Sequence, residues 1–186
     1  KKIIVTYSGN FGNAQDFDTL LKTLKFQKIK DNFQFNLIGS GKKFDYLKNY
    51  INTNKLNHIV NLKNYMNEKK LSKILSESNG LFLTLNTGEA LNNTIPGKFQ
   101  TYLSFGKPII CNSKGAIQNL ISNSKIGYTN SPNDHKKLYR NLMKLKNIKI
   151  KEKKNIYNRS HILYTKYFEL KKNIDDLEKI LSKYKN

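Results

Sequence analysis

Six short apolar segments alternate with stretches of helical periodicity, and this alternation restricts the possible folds more than any other feature of the chain. The segments are residues 3–7, 33–38, 59–62, 81–85, 109–111 and 127–129. Each is β-branched or aromatic and is bounded by Gly, Asn or Pro, which marks a short buried strand. Between them, apolar residues recur at helical spacing: Phe17, Leu20, Leu21 and Leu24; Phe44, Leu47 and Ile51; Leu71, Ile74 and Leu75; Ile117, Leu120 and Ile121; Leu138, Leu142 and Leu145. Strict strand–helix alternation predicts parallel strands joined by crossover helices, with helices on both faces of one sheet.

Residues 94–108, TIPGKFQTYLSFGKP, hold a helix start, an amphipathic helix and a glycine stop. Thr94 is expected to cap the helix and Pro96 to sit in its first turn. Ile95, Phe99, Tyr102 and Leu103 fall on one face. A helix that starts at the end of a buried strand presents free N–H groups to an anion, and Lys98 in its first turn adds a full charge. The competing reading is an ordinary connection with an exposed lysine.

Glycines follow four of the strands: Gly9 and Gly12, Gly39 and Gly41, Gly88, and Gly115. Ligands of open parallel sheets bind outside the carboxyl ends of the strands, where glycine allows close approach to the backbone. Glu89, beside Gly88, stands at that edge, where a carboxylate can accept hydrogen bonds from sugar hydroxyls. The first loop, Ser8 to Asp16, fits neither the dinucleotide pattern nor a P-loop, which disfavours NAD binding and P-loop chemistry. His58, His135 and His161 are scattered and Cys111 is the only cysteine, so the sequence points to no zinc site and no intrachain disulfide.

The formal net charge is +21, from 34 basic and 13 acidic residues. Such a surplus suggests an anionic partner: nucleic acid, a membrane surface or a phosphorylated ligand. Only Arg140 and Arg159 are arginines, which weakens the nucleic-acid version. No apolar run approaches the roughly 20 residues of a membrane span. The chain starts at Lys1, so a fragment of a longer protein is expected. Residues 144–154 are lysine-rich and read as a frayed helix end or connector. Beyond them Leu170, Ile174, Leu177, Leu181 and Tyr184 form a narrow apolar stripe on a long charged helix.

The ordered pieces GNFGNAQDFD, FNLIGSG and IPGKFQTYLSFGKPII resemble the C-terminal domain of retaining family-4 glycosyltransferases of GT-B architecture, chiefly those of bacterial surface-polysaccharide pathways. The resemblance implies an α/β fold: a Rossmann-like parallel six-stranded sheet with a long C-terminal helix. Residues 1–150 would bind a nucleotide diphosphate-sugar. Residues 151–186 would extend toward an N-terminal acceptor domain outside this chain. Transfer of the sugar to a glycan or lipid-linked acceptor is the expected reaction, with no metal and no nucleic-acid partner. The expected place is the cytoplasm, at or near the anionic face of the cytoplasmic membrane. Alternatives are a nucleotide-sugar epimerase of the same fold, or a basic module for RNA or anionic lipid.

The resemblance also assigns positions. Lys98 and Glu89 are the candidate catalytic residues. Gly9, Asn10, Gly12, Gly39, Gly41, Tyr65, Thr94, Ile95, Gly97, Lys98 and Thr101 are the candidate donor contacts, with Tyr65 near the nucleobase. Two departures stand out: Asn10 and Gln15 occupy positions where many members carry arginine and lysine. Asn93 and Thr101 occupy the positions of a pair of glutamates. The implied outcome is a variant that holds the phosphates with backbone amides and Lys98.

Overall fold

The structure, a computed structural model, describes residues 2–183. The strands β1 (Ile3–Ser8), β2 (Phe33–Ile38), β3 (Val60–Lys63), β4 (Gly80–Thr84), β5 (Ile109–Asn112) and β6 (Gly127–Asn130) form one sheet in the order β3-β2-β1-β4-β5-β6. Every pairing is parallel. The six predicted strands are all present, with ends displaced by about one residue.

Alternation along the strands sends side chains to two cores. On one face Val5, Tyr7, Phe35, Leu37, Phe82 and Ile110 pack with α1 (Phe17–Thr23), α3 (Phe44–Thr53) and α8 (His135–Lys146). On the other, Leu81, Leu83, Ile109 and Cys111 pack with α4 (Glu68–Glu77), α6 (Lys98–Phe105) and α7 (Ala116–Asn123). Both faces are covered, as continuous apolar strands require. Cys111 is fully buried, and burial pushes its thiol up to about 12. Its role is packing. The short helix α2 (Gln27–Asn32) leads into β2, and α5 (Glu89–Asn92) follows β4.

The C-terminal region differs from the sequence expectation. Residues 144–154 are a connector only over 147–149: α8 runs to Lys146, and α9 (Ile150–Tyr167) starts four residues later. Its inward residues are Ile156, Ser160 and Leu163, a stripe too narrow to stand out among lysines. The apolar stripe from Leu170 onward lies on α10 (Leu170–Ser182), none of whose residues is buried. Tyr184, the last member of that stripe, lies outside the described residues.

A buried polar cluster joins the sheet's carboxyl edge to α1. Asp16, 4% exposed, caps α1 by accepting from the Thr19 N–H at 3.1 Å. Its other oxygen accepts from Thr19 Oγ1 (2.5 Å), Asn112 Nδ2 (3.0 Å) and the Asn133 N–H (3.2 Å). Asn112 in turn accepts from Asn130 Nδ2 at 2.7 Å. Burial opposes the Asp16 charge, but these hydrogen bonds outweigh it and hold its pKa below the ordinary carboxylate value. Replacing Asp16 with alanine removes a helix cap and orphans several buried donors, for an expected loss of about 3 kcal/mol in denaturant unfolding near neutral pH. Because the folded pKa is the lower one, the wild-type contribution is present above the unfolded value. It is lost as pH falls through the folded one, so wild type and variant should converge in acid.

Candidate functional site

The loop after β1 and the turn after β2 are zipped together at the carboxyl edge. The Gly9 N–H donates to the Ile38 carbonyl at 2.9 Å, Phe11 N–H to Ser40 at 2.7 Å, and Lys43 N–H to Phe11 at 2.8 Å. Gly39 has φ +151°, and a Cβ built there would lie 1.8 Å from the Gly9 carbonyl oxygen. Only glycine permits that approach. Asn10 lies between Gly12 and Gly41: added Cβ atoms at those two glycines would meet its amide at 2.8 and 2.3 Å. Gln15 Oε1 accepts from the Gly12 N–H at 2.9 Å. Of the two departures from a cationic pattern, Gln15 therefore closes the loop on itself, while the Asn10 side chain lies exposed beside it.

Lys98 crosses to this loop from α6. Its Nζ donates to the Tyr7 hydroxyl at 2.6 Å and lies 3.9 Å from the centre of the Tyr7 ring. The Tyr7 hydroxyl donates to the Asn10 carbonyl at 2.6 Å. A Cβ on Gly9 would come within 2.9 Å of the Lys98 ammonium. Among the described residues the ion pairs are Arg159–Glu152 and Lys179–Asp176, so no carboxylate neutralises Lys98. Burial lowers its pKa to about 7. Desolvation without a counter-ion disfavours the charged form, so the charge expected of Lys98 is held here at a cost.

The helix start is corrected. The first residue of α6 is Lys98, with Gly97 at the cap position and no side-chain cap. Thr94 does not cap it. Its hydroxyl donates back to the Ala90 carbonyl at 2.6 Å, closing α5 instead. Ile95 is 45% exposed and so is absent from the buried face formed by Phe99, Tyr102 and Leu103. The change leaves the Ile95, Gly97 and Lys98 N–H groups without a protein acceptor among the described residues. A Cβ on Gly97 would meet nothing within 4 Å, so the turn is open. Gly115, at φ +79°, brings the loop after β5 beneath it, since a Cβ there would lie 2.0 Å from the Asn92 carbonyl oxygen.

Tyr102 anchors α6 to the strand ends. Its buried hydroxyl accepts from the Ser8 N–H at 3.0 Å and donates to the Phe82 carbonyl at 3.1 Å. Tyr102→Phe strips partners from two backbone groups and is expected to cost about 1–3 kcal/mol by thermal or denaturant unfolding.

The structure thus brings Gly9, Asn10, Gly12, Gly39, Gly41, Gly97 and Lys98 to one rim. Thr101 is exposed on α6, one turn beyond Lys98. Glu89 is exposed at the start of α5 and enters no ion pair among the described residues. Tyr65 is 74% exposed beyond β3, the edge strand, and is not drawn into the cluster. Sequence reasoning missed Tyr7 and Tyr102 as site residues, counting them with the core. The available signal was their hydroxyls, since a buried tyrosine needs a partner. No group of three or more His, Cys, Asp or Glu comes together among the described residues.

A doubly covered, six-stranded parallel sheet of this strand order defines a Rossmann-like α/β fold. The model of the family "glycosyl transferases group 1" matches residues 1–162. The chain belongs to that family. Among solved structures it is similar to Anabaena HepE in complex with UDP-glucose (TM-score 0.78, 12% identity, 98% of this chain and 49% of that one). It is also similar to the pneumococcal O-GlcNAc transferase GtfA in complex with UDP and GlcNAc (TM-score 0.74, 20% identity, 96% and 35%). A third is a Staphylococcus aureus TarM mutant with UDP (TM-score 0.74, 17% identity, 100% and 36%). The chain therefore spans between 35% and 49% of the length of these structures. No curated protein sequence matches it.

Proposed function

We propose that this chain is the donor-binding, C-terminal half of a glycosyltransferase that moves a sugar from a nucleotide diphosphate-sugar to a glycan or lipid-linked acceptor. One observation carries the reading: an unpaired ammonium, Lys98, is held over the Gly9 turn beside free N–H groups at Ile95, Gly97 and Lys98. As the glycosidic bond breaks, the departing diphosphate gathers negative charge. A fixed ammonium and fixed amides stabilise that charge without reorganising, so no metal is required of the protein. UDP is bound in the similar structures HepE, GtfA and TarM, which makes it the first nucleotide to try.

In this reading residues 1–150 hold the donor and residues 151–186 reach toward an acceptor domain. Thr101, Glu89 and Tyr65 line the approaches to the sugar and the base. The pathway is surface-polysaccharide synthesis at the cytoplasmic side of a membrane. The family membership and the +21 charge support that assignment. Among the described residues no helix is long and apolar enough to cross a membrane, so the contact would be peripheral.

The test is a titration of the chain with nucleoside diphosphates while backbone amide resonances are followed. The expected shifts concentrate at residues 9–16 and 94–98. Shifts confined to other surfaces, or saturation by inorganic phosphate as tight as by any nucleotide, would reject the assignment.

A further inference from the structure

The lysine-rich stretch flagged in the sequence forms a built surface far from the donor rim. Residues 136–154 contain Lys136, Lys137, Arg140, Lys144, Lys146, Lys149, Lys151, Lys153 and Lys154 against the single acid Glu152. All but Lys137 of these basic residues are exposed. Glu152 does not offset them, because it is paired with Arg159. The positive charges also crowd nearby: burial and the Lys153 charge lower the pKa of Lys107.

The same corner is amphipathic. A groove of about 670 Å³ runs between β6, α8 and the start of α9. Tyr128, Tyr139, Met143 and Ile148 line it, with Arg140, Lys144, Asn147 and Lys149 also along it and Glu152, paired with Arg159, as its one acid. Ile150, the next residue after Lys149, is 75% exposed. β6 is the sheet edge opposite β3. This surface shares no residue with the Lys98 cluster, so both can be occupied together.

We infer that the α8–α9 corner is a docking face for an anionic lipid surface, with Ile150 and the groove taking acyl or glycerol groups and the lysines meeting the headgroups. Charge complementarity selects the occupant: dense lysines around an apolar slot match an interface that is anionic above and apolar below. Lysine stems lie along apolar surface while their ammonium groups stay in water. RNA fits less well, since the tyrosines are half-buried walls rather than an exposed stacking platform. The inference rests on the membrane part of the proposed function and not on the donor site.

The experiment is co-sedimentation of the full chain with phosphatidylcholine vesicles, with and without phosphatidylglycerol. Binding is expected only with phosphatidylglycerol and should fall as salt rises. The triple variant Lys144→Gln, Lys149→Gln, Lys151→Gln should lose about a hundredfold in partitioning, at about fivefold per lysine. Ile150→Ser should weaken binding several-fold without changing its salt slope. A matched triple at the opposite edge, Lys48→Gln, Lys55→Gln, Lys63→Gln, should change it less than about threefold. Equal losses in the two triples would reduce the effect to net charge and overturn the docking face. Indifference to lipid charge would overturn it too, as would RNA binding tighter than vesicle binding through the same three lysines. Nucleotide titration of the α8–α9 triple should match wild type, so a failed membrane face leaves the donor reading separately decided.

Discussion

Replacing Gly39 with alanine is expected to remove nucleotide binding and about 3–5 kcal/mol of stability together. Its φ of +151° disfavours any side chain, and the new Cβ would overlap the Gly9 carbonyl oxygen at 1.8 Å. Relief requires the β1 loop to part from the β2 turn. That motion breaks the Gly9–Ile38 and Phe11–Ser40 hydrogen bonds and displaces Asn10, whose carbonyl holds the Tyr7 hydroxyl. Strain and overpacking each contribute on the order of 1–3 kcal/mol. Denaturant unfolding and a nucleotide titration check the two parts. A variant of unchanged midpoint would show that the loops are not packed as described. Gly97→Ala is the natural control, because its Cβ would meet nothing within 4 Å. Its stability should stay within about 0.5 kcal/mol of wild type.

Lys98→Met should separate function from stability in opposite directions. Loss of the ammonium is expected to weaken nucleoside diphosphate binding about tenfold to a hundredfold, the usual worth of a charge-assisted hydrogen bond. The fold should gain about 2 kcal/mol near neutral pH, because an uncompensated buried charge is replaced by an apolar chain of similar length. The sign follows from linkage. Burial takes the folded pKa from 10.5 down to about 7, so the penalty is complete below pH 7 and fades as pH rises from there toward the unfolded lysine value. The stability gap between variant and wild type should therefore narrow in alkali. Binding shows the mirror image. Above pH 7 the wild type must take up a proton to engage the diphosphate, and its affinity should fall with pH while that of the variant does not. A stability gap that is constant between pH 7 and 10, or a variant with unaltered affinity, would remove Lys98 from the proposed role.

The sheet was legible because each strand is short, apolar and punctuated, and because alternation with helices leaves few topologies. Four of the rim glycines were legible for the same reason: Gly9 and Gly39 directly follow a strand, and Gly12 and Gly41 lie in the same loops. Interactions between distant residues were not. Nothing local in Tyr7 or Lys98 reveals that they meet across 91 positions, and the low pKa of the lysine follows from its burial in the fold. Thr94 carried a cap signature, yet its hydroxyl turned back to Ala90. Serine and threonine can satisfy either side of a helix boundary, so the residue type does not choose between them. Asn10 and Gln15 looked like lost cations in the sequence. In the fold Gln15 is an internal brace of the loop through the Gly12 N–H, and Asn10 contributes its backbone carbonyl to the Tyr7 hydroxyl. The helical character of residues 151–186 was expected, but the inward face of α9 was not legible, because its stripe is interrupted by Ser160 and set among charged residues.

The eighth helix lies against the first. Leu138, Leu142 and Leu145 join Leu20, Leu21 and Leu24 in one core, and Thr23 Oγ1 donates to the His135 carbonyl at 3.2 Å. During synthesis the part of α1 that faces α8 therefore waits for more than a hundred later residues to leave the ribosome. Until then it is a target for chaperones or for wrong partners, and a nascent chain halted before His135 would remain sticky however complete its first strands were.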